Sequence, residues 1–207
     1  GPYKRDENNV MHLDYDKLMP DQKYLVKLTI TCLLSSMQLG AALSATASTL
    51  SSLEKQLKWT KDNVDTNKTL ISTASVLGIS IGAIVGGKII AYGRRKSVLI
   101  FDLLGIIGSV LSIIGNFYVI LVGRLMYGFA AGVLVTACPK IVEETVPSAY
   151  MDLGYGISTN LGINLFVMIS LLSGLIIPSD TAELLTSQNW KIVYLIPVPL
   201  MLIALLL

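Results

Sequence analysis

Arg124 and Asp102 are ionisable side chains set inside long apolar runs of this 207-residue chain. A charge held away from water needs a partner or a wet cavity, so each is a candidate for function before it is a candidate for packing. Arg124 lies about two turns in from one end of its run, where it either ties neighbouring helices together or reaches a substrate. Asp102 follows a basic cluster, Arg94, Arg95 and Lys96, and is expected to pair with it rather than to carry protons. No hydroxyl or thiol stands beside a base, no His/Cys/carboxylate group has metal-ligand spacing, and His12 is the single histidine. Enzyme chemistry, a metal and an organic cofactor are therefore not expected. Cys32 and Cys138 fall in or at the edge of apolar runs and read as small core residues.

The elements that position these residues follow from composition. Apolar residues make up 53% of the chain and charged ones 14%, against roughly 25% charged in soluble domains, and the mean hydropathy is +0.65. The partner implied by such a balance is a lipid bilayer. The sixteen basic residues form no long or aromatic-rich tract, which sets nucleic acid aside. Crossing a hydrocarbon core of about 30 Å takes roughly 20 residues. Six stretches qualify, near residues 24–50, 70–92, 97–115, 117–138, 153–177 and 190–207, with Pro139 expected to close the fourth. The fold class is then an all-α membrane protein, a bundle of six transmembrane helices. It divides into a polar cytoplasmic segment, 1–23, and a transmembrane domain, 24–207. The first segment has no apolar stretch behind a basic start, so insertion is expected to rely on the first span.

Lys and Arg near the span ends fix orientation. With the N-terminus inside, the cytoplasmic face collects Lys4, Arg5, Lys17, Lys23, Lys27, Lys88, Arg94, Arg95, Lys96 and Lys140, and the other face keeps Lys55, Lys58, Lys61, Lys68 and Lys191. Asn67-Lys68-Thr69 is a glycosylation sequon on the outer side, close enough to the membrane to be expected unused. Within the spans, Gly78, Gly82 and Gly86, and Gly128 and Gly132, recur at intervals of four, the spacing that lets helix backbones approach in lipid.

Two stretches are more specific. Gly86-Gly87-Lys88-Ile89-Ile90-Ala91-Tyr92-Gly93-Arg94-Arg95-Lys96 resembles the loop between the second and third helices of the major facilitator superfamily, with Ile90 where that family usually has an acid or its amide. Gly123-Arg124-Leu125-Met126-Tyr127-Gly128-Phe129-Ala130-Ala131-Gly132, followed by Pro139, Glu144 and Pro147, resembles the sugar porters, with Ile141 at their aromatic position and Met151 at their arginine. Asn189-Trp190-Lys191 is similar to the opening of their sixth helix, and Gln38-Leu39-Gly40-Ala41-Ala42 to a motif in their first, where proton-coupled members end on Asp. The resemblance covers about Gln38 to Leu207.

The resemblance implies the N-terminal six-helix half of a facilitative, glucose-transporter-like carrier. Its partners would be a small-molecule sugar and a second six-helix half, which follows Leu207, comes from another subunit or is absent. Substrate-binding residues are implied at Asn160, which aligns with the family's sugar-facing glutamine, flanked by Gln38 and Thr159. Asn160 could equally bond a neighbouring helix. Arg94, Arg95 and Glu144 are implied to form what survives of an inner gate, and Arg124 a bundle-lining charge. Ala42 cannot bind a proton, so the implied mechanism is uniport by alternating access of a hexose or related polyol, at the plasma membrane or an organelle membrane. The losses at Ile90, Ile141 and Met151 leave a second function open, that of a transporter-derived structural subunit of a larger membrane complex.

Overall fold

The computed structural model describes residues 3–5, 11–13, 22–57, 59, 63–146, 157–173, 175 and 189–207. A short antiparallel pair, β1 (Tyr3–Arg5) and β2 (Met11–Leu13), precedes the helices, with Lys4 opposite His12. Then come α1 (Gln22–Gln56), α2 (Val64–Ile89), a 3-10 turn (Ile90–Tyr92), α3 (Arg94–Ser112), α4 (Phe117–Thr145), α5 (Ser158–Ser173), and α6 (Asn189–Leu195) continued by α7 (Pro197–Leu206). Apart from β1 and β2, the described elements are helical and form a six-helix bundle in which α6 and α7 act as one 18-residue span. Among the described residues, four spans are long and apolar enough to cross a membrane: α1, α2, α4 and α6 with α7. Helix α3 has the length, 19 residues, but opens on three cations and carries Asp102; α5 is apolar and shorter.

Helix ends follow local chemistry. Gly93 adopts φ 143°, a backbone that L side chains resist, and so permits the reversal from α2 into α3. At the opposite end, Asn116 caps α4 by accepting from the Tyr118 N–H at 3.1 Å. Pro139 does not close α4, contrary to the sequence expectation: the helix continues to Thr145, with Pro139 inside it. A proline forfeits one backbone bond, and burial of the following turn, Ile141 and Val142, against the core holds the helix together past the break. Along α1 the hydroxyls of Thr29, Ser36, Ser44 and Thr49 donate to the carbonyls of Leu25, Cys32, Gly40 and Ala45, so a serine-rich helix spends its polar groups on itself. The sequon residue Asn67 lies in the first turn of α2, where its N–H bonds the carbonyl of Asn63.

Helix α4 is central, packing on α2, α3 and α1, while α1 also carries α5. The small-residue spacing serves these contacts. A Cβ on Gly78 or Gly82 would collide with the carbonyl of Leu125 or Phe129, and one on Gly128 or Gly132 with that of Ser75 or Ile79. The core runs in three layers along α1, from Leu25 and Cys32, through Met37, Ala41 and Ala42, to Ala45 and Leu53. The outward faces are apolar too, with Ile84 79% exposed, as a lipid-facing surface requires. Cys32 and Cys138 are buried free thiols, as the sequence suggested.

One end of the bundle gathers Lys27 of α1, Arg94 and Arg95 of α3 and Glu144 of α4, the opposite end Glu54, Lys68 and Trp190. If the basic end is cytoplasmic, a cysteine at exposed Ser51 in the full-length protein reacts with an impermeant maleimide on intact cells. One at exposed Lys96 then reacts only after permeabilisation, the buried native thiols giving little background. Equal labelling of both positions from outside sinks the N-inside topology.

Candidate functional site

Asp102 sits near the middle of α3, fully buried, and faces α1. Ser35 Oγ donates to its Oδ2 at 2.8 Å and Gln38 Nε2 donates to its Oδ1 at 2.6 Å. This corrects the expected pairing with Arg94, Arg95 and Lys96. Those cations are exposed at the helix start, six to eight residues or about 9–12 Å away along the axis, while Asp102 points into the bundle. Ser35 and Gln38 are three residues apart and share one face of α1, a signal available from sequence had the acid been assigned to that face. Gln38 Oε1 is buried without a hydrogen-bond partner and lies against Gly105, where a Cβ would collide with it.

Toward the other end, Arg124 of α4 is 2% exposed and is roofed by aromatic rings. Its Cζ lies 3.7 Å from the ring centroid of Tyr194 and 5.8 Å from that of Tyr127. Tyr194 is held by a 2.6 Å hydrogen bond between its hydroxyl and that of Thr49, and nearby Trp190 donates from Nε1 to Gln56 Oε1 at 2.6 Å, so α6 is pinned to α1 at two levels. The sequence pointed to Arg124 and, one turn along the same helix, Tyr127, but not to Tyr194, which comes from a span some 70 residues later.

At the basic end, Arg94 Nη2 and Glu144 Oε2 are 2.5 Å apart, joining the start of α3 to the end of α4. Both side chains are partly solvated, so the pair contributes little to stability, on the order of 0–1 kcal/mol, and more to the register of the two ends. Arg95, also predicted there, lines a neighbouring cavity of about 340 Å³ with Lys27, Thr31 and Cys32. Ile90 and Ile141, standing where the resemblance leads one to expect an acid and an aromatic, are both buried in the apolar layer at this end.

The residues assigned to substrate lie at different depths in this half. Asn160 is exposed in the first turn of α5, and Asn164 one turn on is exposed beside it, donating from Nδ2 to the Asn160 carbonyl at 3.0 Å. Thr159 is 2% exposed and Gln38 fully buried, so both are covered by this half's own helices. Helices α1 and α5 meet closely where Gly40, near the middle of α1, abuts Ile163 and Val167, and where Gly162 abuts Leu33. That contact puts Asn164 near the level of Gly40 and Asn160 one turn toward the N-terminal end of α1. Met151 and Pro147, also cited from sequence, lie outside the described residues.

A family model described as "Sugar (and other) transporter" matches residues 17–207. Among curated proteins, the chain is 28% identical over 167 residues to hexose transporter 1 of Plasmodium falciparum (isolate 3D7), covering 73% of this chain and 33% of that protein. It is 29% identical over 171 residues to D-xylose-proton symporter-like 2 of Arabidopsis thaliana, covering 81% of this chain and 32% of that protein. Among solved structures it superposes on the proton:xylose symporter XylE from E. coli, bound to 6-bromo-6-deoxy-D-glucose, with a TM-score of 0.78 at 17% identity over 90% of this chain and 44% of that one. At that identity the likeness is one of fold. The chain spans about a third of the length of these curated relatives.

Proposed function

The chain belongs to the sugar (and other) transporter family, and we propose that it supplies the N-terminal half of a facilitative carrier for a hexose or related polyol. A second six-helix half would form the opposite wall of the path. The observation that carries this is the pair of exposed amides, Asn160 and Asn164, among the otherwise apolar exposed residues of α5. Amides turned toward hydrocarbon would go unsatisfied, so such a face calls for a polar cavity, and sugar hydroxyls match their donors and acceptors. In this proposal Asn160 contacts the substrate. Gln38 and Thr159, assigned with it, stand behind the wall in the state described and come into contact only if the helices part. Arg94, Arg95 and Glu144 act as the inner gate, with the Arg94–Glu144 pair closing it.

Uniport is proposed on Ala42, which is buried among apolar side chains and offers no acid at that place. Relatives named as proton symporters make coupling the point to test. In proteoliposomes holding the full-length protein, labelled hexose should equilibrate to the external concentration and no further, whatever pH gradient is imposed. Accumulation above that level, abolished by a protonophore, refutes uniport and turns attention to Asp102. A specific observation favours the alternative of a structural subunit: Ile90 and Ile141 pack as ordinary core residues at the gate end. Absence of any uptake by well-folded protein, together with its copurification with other membrane subunits, selects that alternative.

A further inference from the structure

Arg124 is a cation buried inside this half with no described anion against it. Its Nε and Nη2 make no hydrogen bond, and neither does the hydroxyl of Tyr127 one turn along the same helix. Asp102, the buried acid of the neighbouring helix, is engaged by Ser35 and Gln38 and lies seven residues, about 10 Å along α3, before Ser109 at the level of the arginine. The second half of a carrier cannot supply the counter-charge, because Arg124 is only 2% exposed in this half alone and Tyr194 covers it. Stacking on Tyr194 offsets part of the burial cost of the guanidinium but leaves its charge unbalanced.

The orphaned groups border a small cavity lined by Ala41, Ala45, Ser109, Arg124, Tyr127 and Tyr194, together with Ser112 and Pro197. Its volume is about 10 Å³, about what a single water needs, so an ion somewhat larger than water enters only as the surrounding side chains give way, and a phosphate or a sugar ring is far too large. We propose that this cavity is a binding site for a single monatomic anion, a halide such as chloride. Every unpartnered atom can donate, Nε and Nη2 of the guanidinium and the phenol oxygen of Tyr127, which can also accept, and Ser112 already gives its hydroxyl proton to the Gly108 carbonyl at 2.8 Å. A water would satisfy hydrogen bonds but leave the charge unanswered; a halide accepts from every donor and also neutralises the cation. Alanine at 41 and 45, where a longer side chain would fill the space, keeps the cavity open. The site thus does with a diffusible ion what a fixed carboxylate on α1 would do covalently, and it ties α1, α3, α4 and α6 together.

The test uses the purified full-length protein in detergent, with thermal unfolding followed as sodium chloride replaces sodium gluconate at constant ionic strength. The midpoint temperature should rise with chloride and saturate, bromide should reproduce the rise, and Arg124→Gln should abolish its anion-specific part. Tyr127→Phe, which keeps the ring and removes one donor, should shift the half-saturating chloride concentration upward by about tenfold. Where Arg124→Gln yields no folded protein, Tyr127→Phe and anomalous density for bromide beside Arg124 decide. Superposable curves in chloride and gluconate, or a chloride response equal in wild type and Tyr127→Phe, overturn the site.

Discussion

Gly132→Leu should yield no folded, monodisperse protein, the largest effect expected of any single substitution here. The Cβ of residue 132 would already overlap the backbone carbonyl, carbonyl carbon and Cα of Ile79 in α2, none of which can swing aside as a side-chain tip can. Relief requires α2 and α4 to separate, and that opens the reciprocal contacts of Gly78 on Leu125, Gly82 on Phe129 and Gly128 on Ser75 together. Lipid supplies little hydrophobic drive to pull the helices back, so close backbone packing is what would be lost. Ordinary overpacking costs about 1–3 kcal/mol, and a clash of backbone on backbone exceeds that range. Gly87→Leu is the control, since nothing lies within 4 Å of a Cβ at that position of α2, the helix across the seam. Size-exclusion profiles and unfolding temperatures of the two variants check the claim. Equal behaviour would mean that the seam contributes no more than any other surface of α2.

The second large effect concerns transport. Asn160→Leu should lower the kcat/KM of hexose uptake at least about tenfold in reconstituted full-length protein, because a sugar hydroxyl desolvated without its partner costs on the order of 1–3 kcal/mol. The unfolding temperature should stay near the wild-type value, since Asn160 is exposed and its side chain is not part of the packed core. Asn164→Leu should act in the same direction, standing one turn away on the same face. A fall in stability that matches the fall in uptake would assign the amide to a helix–helix contact. Unchanged uptake removes Asn160 from the substrate wall.

Much of the bundle was legible because lipid imposes simple rules. A run of about 20 apolar residues must be a helix, since nothing else satisfies its backbone in hydrocarbon, and glycines four apart must lie on one face. Six helices therefore came through, four of them long and apolar enough to span, where helix ends did not. Pro139 is a stop signal in water, yet α4 passes through it because Ile141 and Val142 are buried beyond it. The first two helices overrun the hydrophobic window in the same way, α1 reaching Gln56 and α2 beginning at Val64, as the ends pack on each other and Lys68 pairs with Glu54.

The candidate site divides along the same line. Sequence alone determined that Arg124 and Asp102 are intramembrane charges needing an answer, that Arg94 and Glu144 belong to one end of the bundle, and that Asn160 is an amide within the fifth apolar stretch. Only the tertiary structure decided what answers each charge. It turned Asp102 away from three nearby cations toward Ser35 and Gln38 on α1, and it brought Tyr194 from the last span over Arg124. The physical reason is that spacing along one helix fixes which residues share a face, to within the 3.6-residue period. The face a neighbour presents, and so the partner of a buried charge, depends on crossing angle and depth, which are set by close packing among α1, α3, α4 and α6 at once.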